Sequence, residues 1–422
     1  MHPPNPDDAQ DERPLPWSTT ADKASYYRLF AAYVMALFAT GVATVALGLF
    51  AYALAADDAG TVLGTALSLK ALAYVVAAPV AAALTLHMPR KPLLIALDLL
   101  RAGSLLLLPL VTAPWQVFAI VFVFALASAV FVQVYQTVVP FLLARREDYT
   151  VSLARSRIAS ELETSLSPLL AAGLLLILSS QDVFVAMALV FLLSAWLVGR
   201  TAMPGRLARA SGRVFARILR GPRLFLATPD LRGLIALDGV VACVTAMVMV
   251  NTVVLVQGEF GLGRRAAAIA FAAFGFGAII GATTLIPSLR VLPERAVMLT
   301  GAGLGCLGLL GGALLATSYN GLLLVWLVLG LGSSVALTPA TFLIRRIARP
   351  RDSQLLFAAQ LALANGFLLP GYSAAGWLGA EFGMTVTFLA LGLAATVGTV
   401  AAGTLWPPSP GVTGSAAEEP PG

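Results

Sequence analysis

The sequence predicts an all-α polytopic membrane protein, with twelve transmembrane helices in two six-helix, pseudo-repeated halves. Three observations carry that fold class. First, 59% of the 422 residues are hydrophobic and 11% are charged, with a mean hydropathy of +0.88; soluble domains carry about 25% charge. A soluble chain of this size needs a polar skin that this composition cannot supply. Second, the apolar residues fall in runs of the ~20 residues that a spanning helix needs. Third, the few charges alternate in sign from one connection to the next. An outer-membrane barrel is disfavoured because its strands alternate apolar and polar residues instead of running apolar.

Taken in order, the apolar runs predict helices at about 28–55, 61–86, 92–113, 116–143, 153–178, 182–203, 231–256, 266–287, 297–317, 321–344, 355–379 and 383–406. Short polar turns such as Asp57-Asp58-Ala59-Gly60 and Ser318-Tyr319-Asn320 divide them. One set of connections holds Arg90-Lys91, Arg145-Arg146, the Arg206–Arg232 segment, Arg290 with Arg295, and Arg345-Arg346 with Arg349 and Arg351. The other holds Asp57, Asp58, Asp182, Glu259 and Glu381, with Arg264 and Arg265 as its basic residues. Basic loops stay cytoplasmic. The alternation therefore places both termini in the cytoplasm of a multi-pass inner (plasma) membrane protein. It also explains the net charge of +6 as a topology signal.

The domain reading follows. Residues 1–27 and 407–422 are disordered cytoplasmic tails, 28–203 and 231–406 are the two six-helix bundles, and 204–230 is a cytoplasmic amphipathic linker. In the linker, Arg206, Arg209, Arg213, Arg217 and Arg220 form one helical stripe, and Gly221-Pro222 is expected to stop it. The halves echo each other at an offset of about 200 residues. Pro140 precedes Arg145-Arg146 as Pro339 precedes Arg345-Arg346, and Pro89-Arg90-Lys91 corresponds to Pro293-Glu294-Arg295. A parallel repeat of this kind places a cavity between the halves near the bilayer midplane.

These features resemble the major facilitator superfamily, and more narrowly its bacterial branch of siderophore and macrolide exporters. The likeness covers residues 25–406. The family's loop signature between the second and third helices reads here as Ala82, Leu86, His87, Pro89, Arg90 and Lys91, with the basic pair kept and the glycines and acid replaced. Asp98-Leu99-Leu100-Arg101-Ala102 matches the exporter branch, and Ser167-Pro168 with Gly173 is a degenerate form of its fifth-helix signature. The resemblance implies a cytoplasmic gate formed by Arg90, Lys91, Asp98 and Arg101. Spacing alone allows a second role for Asp98 and Arg101, three apart on one helix face, as a static packing pair.

Ionisable groups inside spans point to function. Lys70 lies about nine residues, or roughly 14 Å, below the outer end of its helix. It either snorkels toward Asp57 and Asp58 or faces the cavity, offering a titratable amine or attracting an anionic group. Glu161 has a local partner in Arg157, four residues earlier, and reads as structural; Glu163 has none at that spacing. Glu163 and Asp238 are either ion-pair gate residues or carriers of the coupling proton. Gln133, Gln136, Asn251, Gln360 and Asn365 are amides that glue helices or line the cavity; Gln257, at a helix boundary, reads as solvated. Gly277 with Gly281, Gly301 with Gly305, and Gly308 with Gly312 are small-xxx-small pairs for close helix contact.

The expected function is secondary active transport. The chain would export a small amphipathic compound by alternating access, most simply by proton antiport. The alternatives are uptake or uncoupled transport of a small solute, and a lipid-handling or sensor protein. The expected partners are the substrate, protons and membrane lipids, with no nucleic acid and a monomeric state. The sequence has no Gly-Lys-Ser/Thr phosphate loop. Its two cysteines, Cys243 and Cys306, and two histidines offer no metal constellation, so no cofactor and no enzymatic activity are expected.

Overall fold

The structure is a computed structural model that describes residues 23–55, 58–143, 146–203, 214–291, 293–347 and 353–406. Among these residues every regular element is helical. The first half contains α1 (Lys23–Ala55), α2 (Ala59–His87), α3 (Arg90–Leu107), α4 (Pro114–Leu142), α5 (Arg146–Ile177) and α6 (Ser180–Gly199). A connecting helix, α7 (Val214–Ala227), leads to the second half. There follow α8 (Pro229–Val253), α9 (Arg264–Val291), α10 (Glu294–Leu315), α11 (Tyr319–Leu337) and the short α12 (Ala340–Ile347). The final helical stretch, Ser353–Leu405, breaks at Gly383, whose φ of 79° and ψ of 171° lie where side chains are disfavoured. The break divides it into α13 (353–382) and α14 (384–405).

The twelve predicted spans are recovered. Ten apolar stretches are long enough to cross a bilayer, and one of them, Ala359–Leu405, is the double span cut at Gly383. The twelfth is α5, whose apolar part is Leu166–Ile177 and whose first half is rich in charge. Large apolar side chains point outward, including Leu110, Ile177, Leu314, Leu393 and Val397. Such an inverted surface is stable only against lipid. Hydroxyls inside the spans donate to their own helix four residues back, as Thr40 does to Ala36 O (2.8 Å) and Ser128 to Phe124 O (2.9 Å). The chain thereby satisfies polar groups that no water reaches.

Two details differ from the sequence reading. Gly221-Pro222 does not stop the linker helix, because α7 runs through Pro222 to Ala227. Pro222 removes one backbone donor, but Gly221 and Phe225 are buried and α7 packs on α8, which holds the turn together. Residues 204–213, with Arg206, Arg209 and Arg213, lie outside the described residues, as do the tails 1–22 and 407–422. The predicted span 321–344 is interrupted at Thr338-Pro339, which separates α11 from α12. Pro339 has no N–H to continue the ladder to Val335.

An even number of spans leaves Lys23 and Leu405 at the same end, here termed the terminal end. At the opposite end the halves meet through α2 and α13. A methyl group on Gly64 would come within 2.5 Å of Tyr372 O and 3.2 Å of Gly376 Cα. The Ser68 hydroxyl lies 2.8 Å from Leu369 O and 2.7 Å from Ser373 Oγ. Gly48 of α1 likewise faces Val253 of α8. Small residues let the backbones approach, and serine hydroxyls fasten them. The predicted glycine pairs serve the second half in the same way: Gly277 and Gly281 abut the α11 backbone, and Gly301 abuts Val335 and Ala336. At the terminal end, the ion pairs Lys23–Asp148 (3.8 Å) and Arg346–Glu294 (3.2 Å) each stay within one half.

This closure predicts that Ser68→Cys with Ser373→Cys forms a cross-link under mild oxidation in a background free of Cys243 and Cys306. Adding Gly376→Leu should reduce the yield at least tenfold, read on denaturing gels after cleavage of the linker. Equal yields with and without that bulk would contradict the proposed contact.

Candidate functional site

Three helices of the first half build a charged site within the membrane. Thr44 on α1 and Lys70 on α2 each lie eleven residues from the ends of their helices at the α1–α2 turn. That depth is about 16 Å at 1.5 Å per residue, close to the midplane of a ~30 Å hydrocarbon core. The Lys70 ammonium donates to Thr44 Oγ1 at 2.7 Å. The Thr44 hydroxyl spends its own proton on Thr40 O (2.8 Å), leaving its lone pairs for lysine. Lys70 therefore turns inward and does not extend toward Asp58; Asp57 lies outside the described residues. Beside it is a narrow apolar cleft walled by Leu47, Leu105, Leu108, Val121 and Phe124.

Glu163 on α5 faces the same surface of α1. Ser167, four residues on, donates to Glu163 Oε1 at 3.3 Å. A methyl on Gly41 would overlap both Ser167 Oγ and the Glu163 carboxylate. Gly41 and Thr44 are one turn apart on one face of α1, so the carboxylate and the ammonium sit against neighbouring steps of the same helix. The Glu163 charge acts electrostatically on Lys70 and on the hydroxyl of Tyr74.

Asp98 and Arg101 pair with each other inside the first half, with 0% and 1% of their side chains exposed. Ser194 of α6 donates to Asp98 Oδ2 at 2.9 Å. The guanidinium is sandwiched between the rings of Phe131 (4.1 Å) and Phe191 (4.5 Å), a favourable cation–π setting. These partners all belong to the first half. Arg90 and Lys91 begin α3 at the terminal end, both half-buried.

The other predicted residues do not converge on Lys70. Asp238 of α8 is buried and accepts two hydrogen bonds from the Gln360 amide of α13, at 2.8 and 3.0 Å. Asn251 donates to Ala375 O at 3.2 Å and joins α8 to α13 nearer the opposite end. Asn365 turns back to Leu361 O of its own helix (2.9 Å). Gln133 and Gln136 are half-buried on α4, flanking Tyr135, which stacks on Tyr33 at 4.1 Å and hydrogen-bonds Ser156 at 3.0 Å. The side chains of Glu161 and Arg157 lie outside the described residues.

Sequence reasoning missed Gly41, Thr44 and Tyr74, and read Ser167 only as part of a helix signature. A usable signal existed for Thr44, since its depth equals that of Lys70 across a short turn. For the others, a uniformly apolar helix gives no indication of which face looks inward.

The two six-helix halves and the connecting helix define a polytopic transporter fold. The family model of the Major Facilitator Superfamily matches residues 29–292 and 236–421, so the chain belongs to that superfamily. Solved structures agree on the fold. The nucleoside transporter NupG aligns with a TM-score of 0.68 at 12% identity, over 91% of this chain and 99% of that one. A D-xylose–proton symporter aligns at 0.66 with 14% identity, over 90% and 97%. A bacterial homolog of the human lysosomal transporter Spinster, in an inward-facing and unoccupied conformation, aligns at 0.65 with 14% identity, over 92% and 100%. No curated protein matches the chain. Membership of this superfamily points to a transporter rather than an enzyme.

The buried ion pair yields a stability prediction. Asp98→Ala leaves Arg101 desolvated without its counter-charge and should cost about 3–5 kcal/mol. Thermal unfolding in detergent should fall accordingly, and Asp98→Ala with Arg101→Leu should recover much of the loss. A double variant no better than the single would contradict the pairing.

Proposed function

We propose that this transporter exports a small amphipathic compound in exchange for protons. The observation that carries the reading is a carboxylate, Glu163, held against Gly41 inside the membrane, one turn of α1 from the Thr44 that accepts from the Lys70 ammonium. An acid at that depth is a costly feature. Coupling explains it, because a group that is charged in one step and neutralised in the next changes the energy of the closed site. The closure of α2 on α13 at the opposite end fits one of the two states that alternating access requires. Outward direction is supported by the exporter-type run Asp98-Leu99-Leu100-Arg101-Ala102. The mainly apolar composition of the spans suits an amphipathic compound better than a sugar.

In this reading both termini are cytoplasmic, the protein sits in the plasma membrane as a monomer, and Glu163 is the acid on which coupling turns. Asp238, clamped by Gln360, fastens α8 to α13 and keeps the second half rigid during the exchange.

Everted membrane vesicles test the proposal. Energising them with a proton gradient should drive accumulation of labelled amphipathic compounds from a broad panel, and a protonophore should abolish it. Glu163→Gln should lower the driven rate at least tenfold with protein level unchanged. Gln360→Ala should act mainly by lowering thermal stability, by about 1.5–3 kcal/mol for hydrogen bonds to a charged group. Gradient-independent transport in the wild type, or full activity in Glu163→Gln, would refute the coupling.

A further inference from the structure

We infer that the outer surface of the first half binds an acidic phospholipid at the terminal end. Its phosphate lies among Arg28, Arg155 and Arg200, and its acyl chains follow a furrow over α1 between α5 and α6. The two wall helices each pack on α1 but scarcely on each other. The strip of α1 left between them begins with Tyr27 and Arg28, both exposed. It continues toward the middle of the membrane as the half-buried Ala31, Met35 and Phe38. Each wall adds one arginine to an outward apolar stripe. On α5, Ile158 and Leu162 are exposed on the face that carries Arg155. On α6, Leu193 and Trp196 are exposed on the face that carries Arg200. A stripe that is apolar along its length and ends in an aromatic ring and an arginine spans the step from acyl chains to headgroups.

Contacts between the helices gather the three guanidiniums. Arg28 donates to Arg200 O at 3.2 Å, which joins α1 to the end of α6. Arg155 donates to the hydroxyl of Tyr27, the residue before Arg28, at 3.3 Å, and lies over its ring at 5.7 Å. Arg200 stacks on the Trp196 ring at 4.9 Å. Stacking covers the face of a guanidinium and leaves N–H groups at its edge to fork onto phosphate oxygens. Among the described residues none of the three pairs with a carboxylate, and Asp148, near the start of α5, is taken by Lys23. Three cations at a lipid-facing edge attract an anion, and the apolar furrow beside them suits chains attached to that anion. A soluble phosphate would fill the first and leave the second empty. Membranes concentrate acidic lipids in the cytoplasmic leaflet, the side proposed above for the termini. Binding here is independent of the direction of transport.

Native mass spectrometry of the full-length protein in detergent, titrated with phosphatidylglycerol or phosphatidylcholine, tests the site. Each arginine should contribute about fivefold, so the wild type should prefer phosphatidylglycerol on the order of a hundredfold. Arg155→Ala alone should weaken phosphatidylglycerol about fivefold. Alanine at Arg28, Arg155 and Arg200 together should bring the two lipids to within about twofold of each other. Lysine at all three keeps the charge, should retain most of the preference, and guards against misfolding of the alanine variant. Arg264→Ala with Arg265→Ala, at the opposite end, should leave the preference unchanged. Equal affinity for the two lipids in the wild type, or an undiminished preference in the triple alanine variant, would overturn the site. Loss of preference in the Arg264 and Arg265 variant would overturn it in favour of a general charge effect. Displacement of the bound lipid by excess inorganic phosphate would overturn the lipid in favour of a soluble anion.

Discussion

A charge inside hydrocarbon must find a partner, and the few charges of this chain that sit inside its spans show how the constraint shapes the molecule. Asp98 and Arg101 answer it with each other, with Ser194 and with two aromatic rings. The result is a closed knot that ties α3 to α6 and α4. Asp238 answers it with the Gln360 amide. Lys70 answers it with the Thr44 hydroxyl, and Glu163, to which Ser167 donates, lies against Gly41 one turn away on the same face of α1.

The same economy governs the backbone. Where the halves meet, glycine and serine replace bulk, so that α2 and α13 come into contact at one end. Where helices of one half meet, as α9 and α11 do at Gly277 and Gly330, the contact is equally close. A transporter that rocks needs rigid halves joined by an interface that can separate. Ser68 and Ser373 supply few enough polar contacts for the second requirement, and the glycine-packed bundles supply the first.

The fold was largely legible in the sequence, because length and apolarity alone define a spanning helix and charge alternation counts them. Pattern failed where packing or a single residue decides. Gly221-Pro222 looked like a stop, but burial of Phe225 and contact with α8 keep the helix going. Pro339 broke a run that hydropathy reads as continuous. The site was half legible. Lys70, Glu163 and Asp238 stand out as ions in apolar runs, yet a run apolar on every side conceals the direction in which each one points. That is why Lys70 could be read as reaching for Asp58, and why Gly41 and Thr44, which bring it to Glu163, were not distinguished from ordinary helix residues.

The central claim is that the Lys70–Glu163 site opens alternately to the two sides of the membrane. The most direct measurement places Tyr74→Cys in a background without Cys243 and Cys306, and labels it with a membrane-impermeant thiol reagent from each face of right-side-out and everted vesicles. The account predicts labelling from the terminal face at rest, with a shift toward the opposite face when substrate and a proton gradient are present. Labelling from one face under every condition, or from neither, would contradict it.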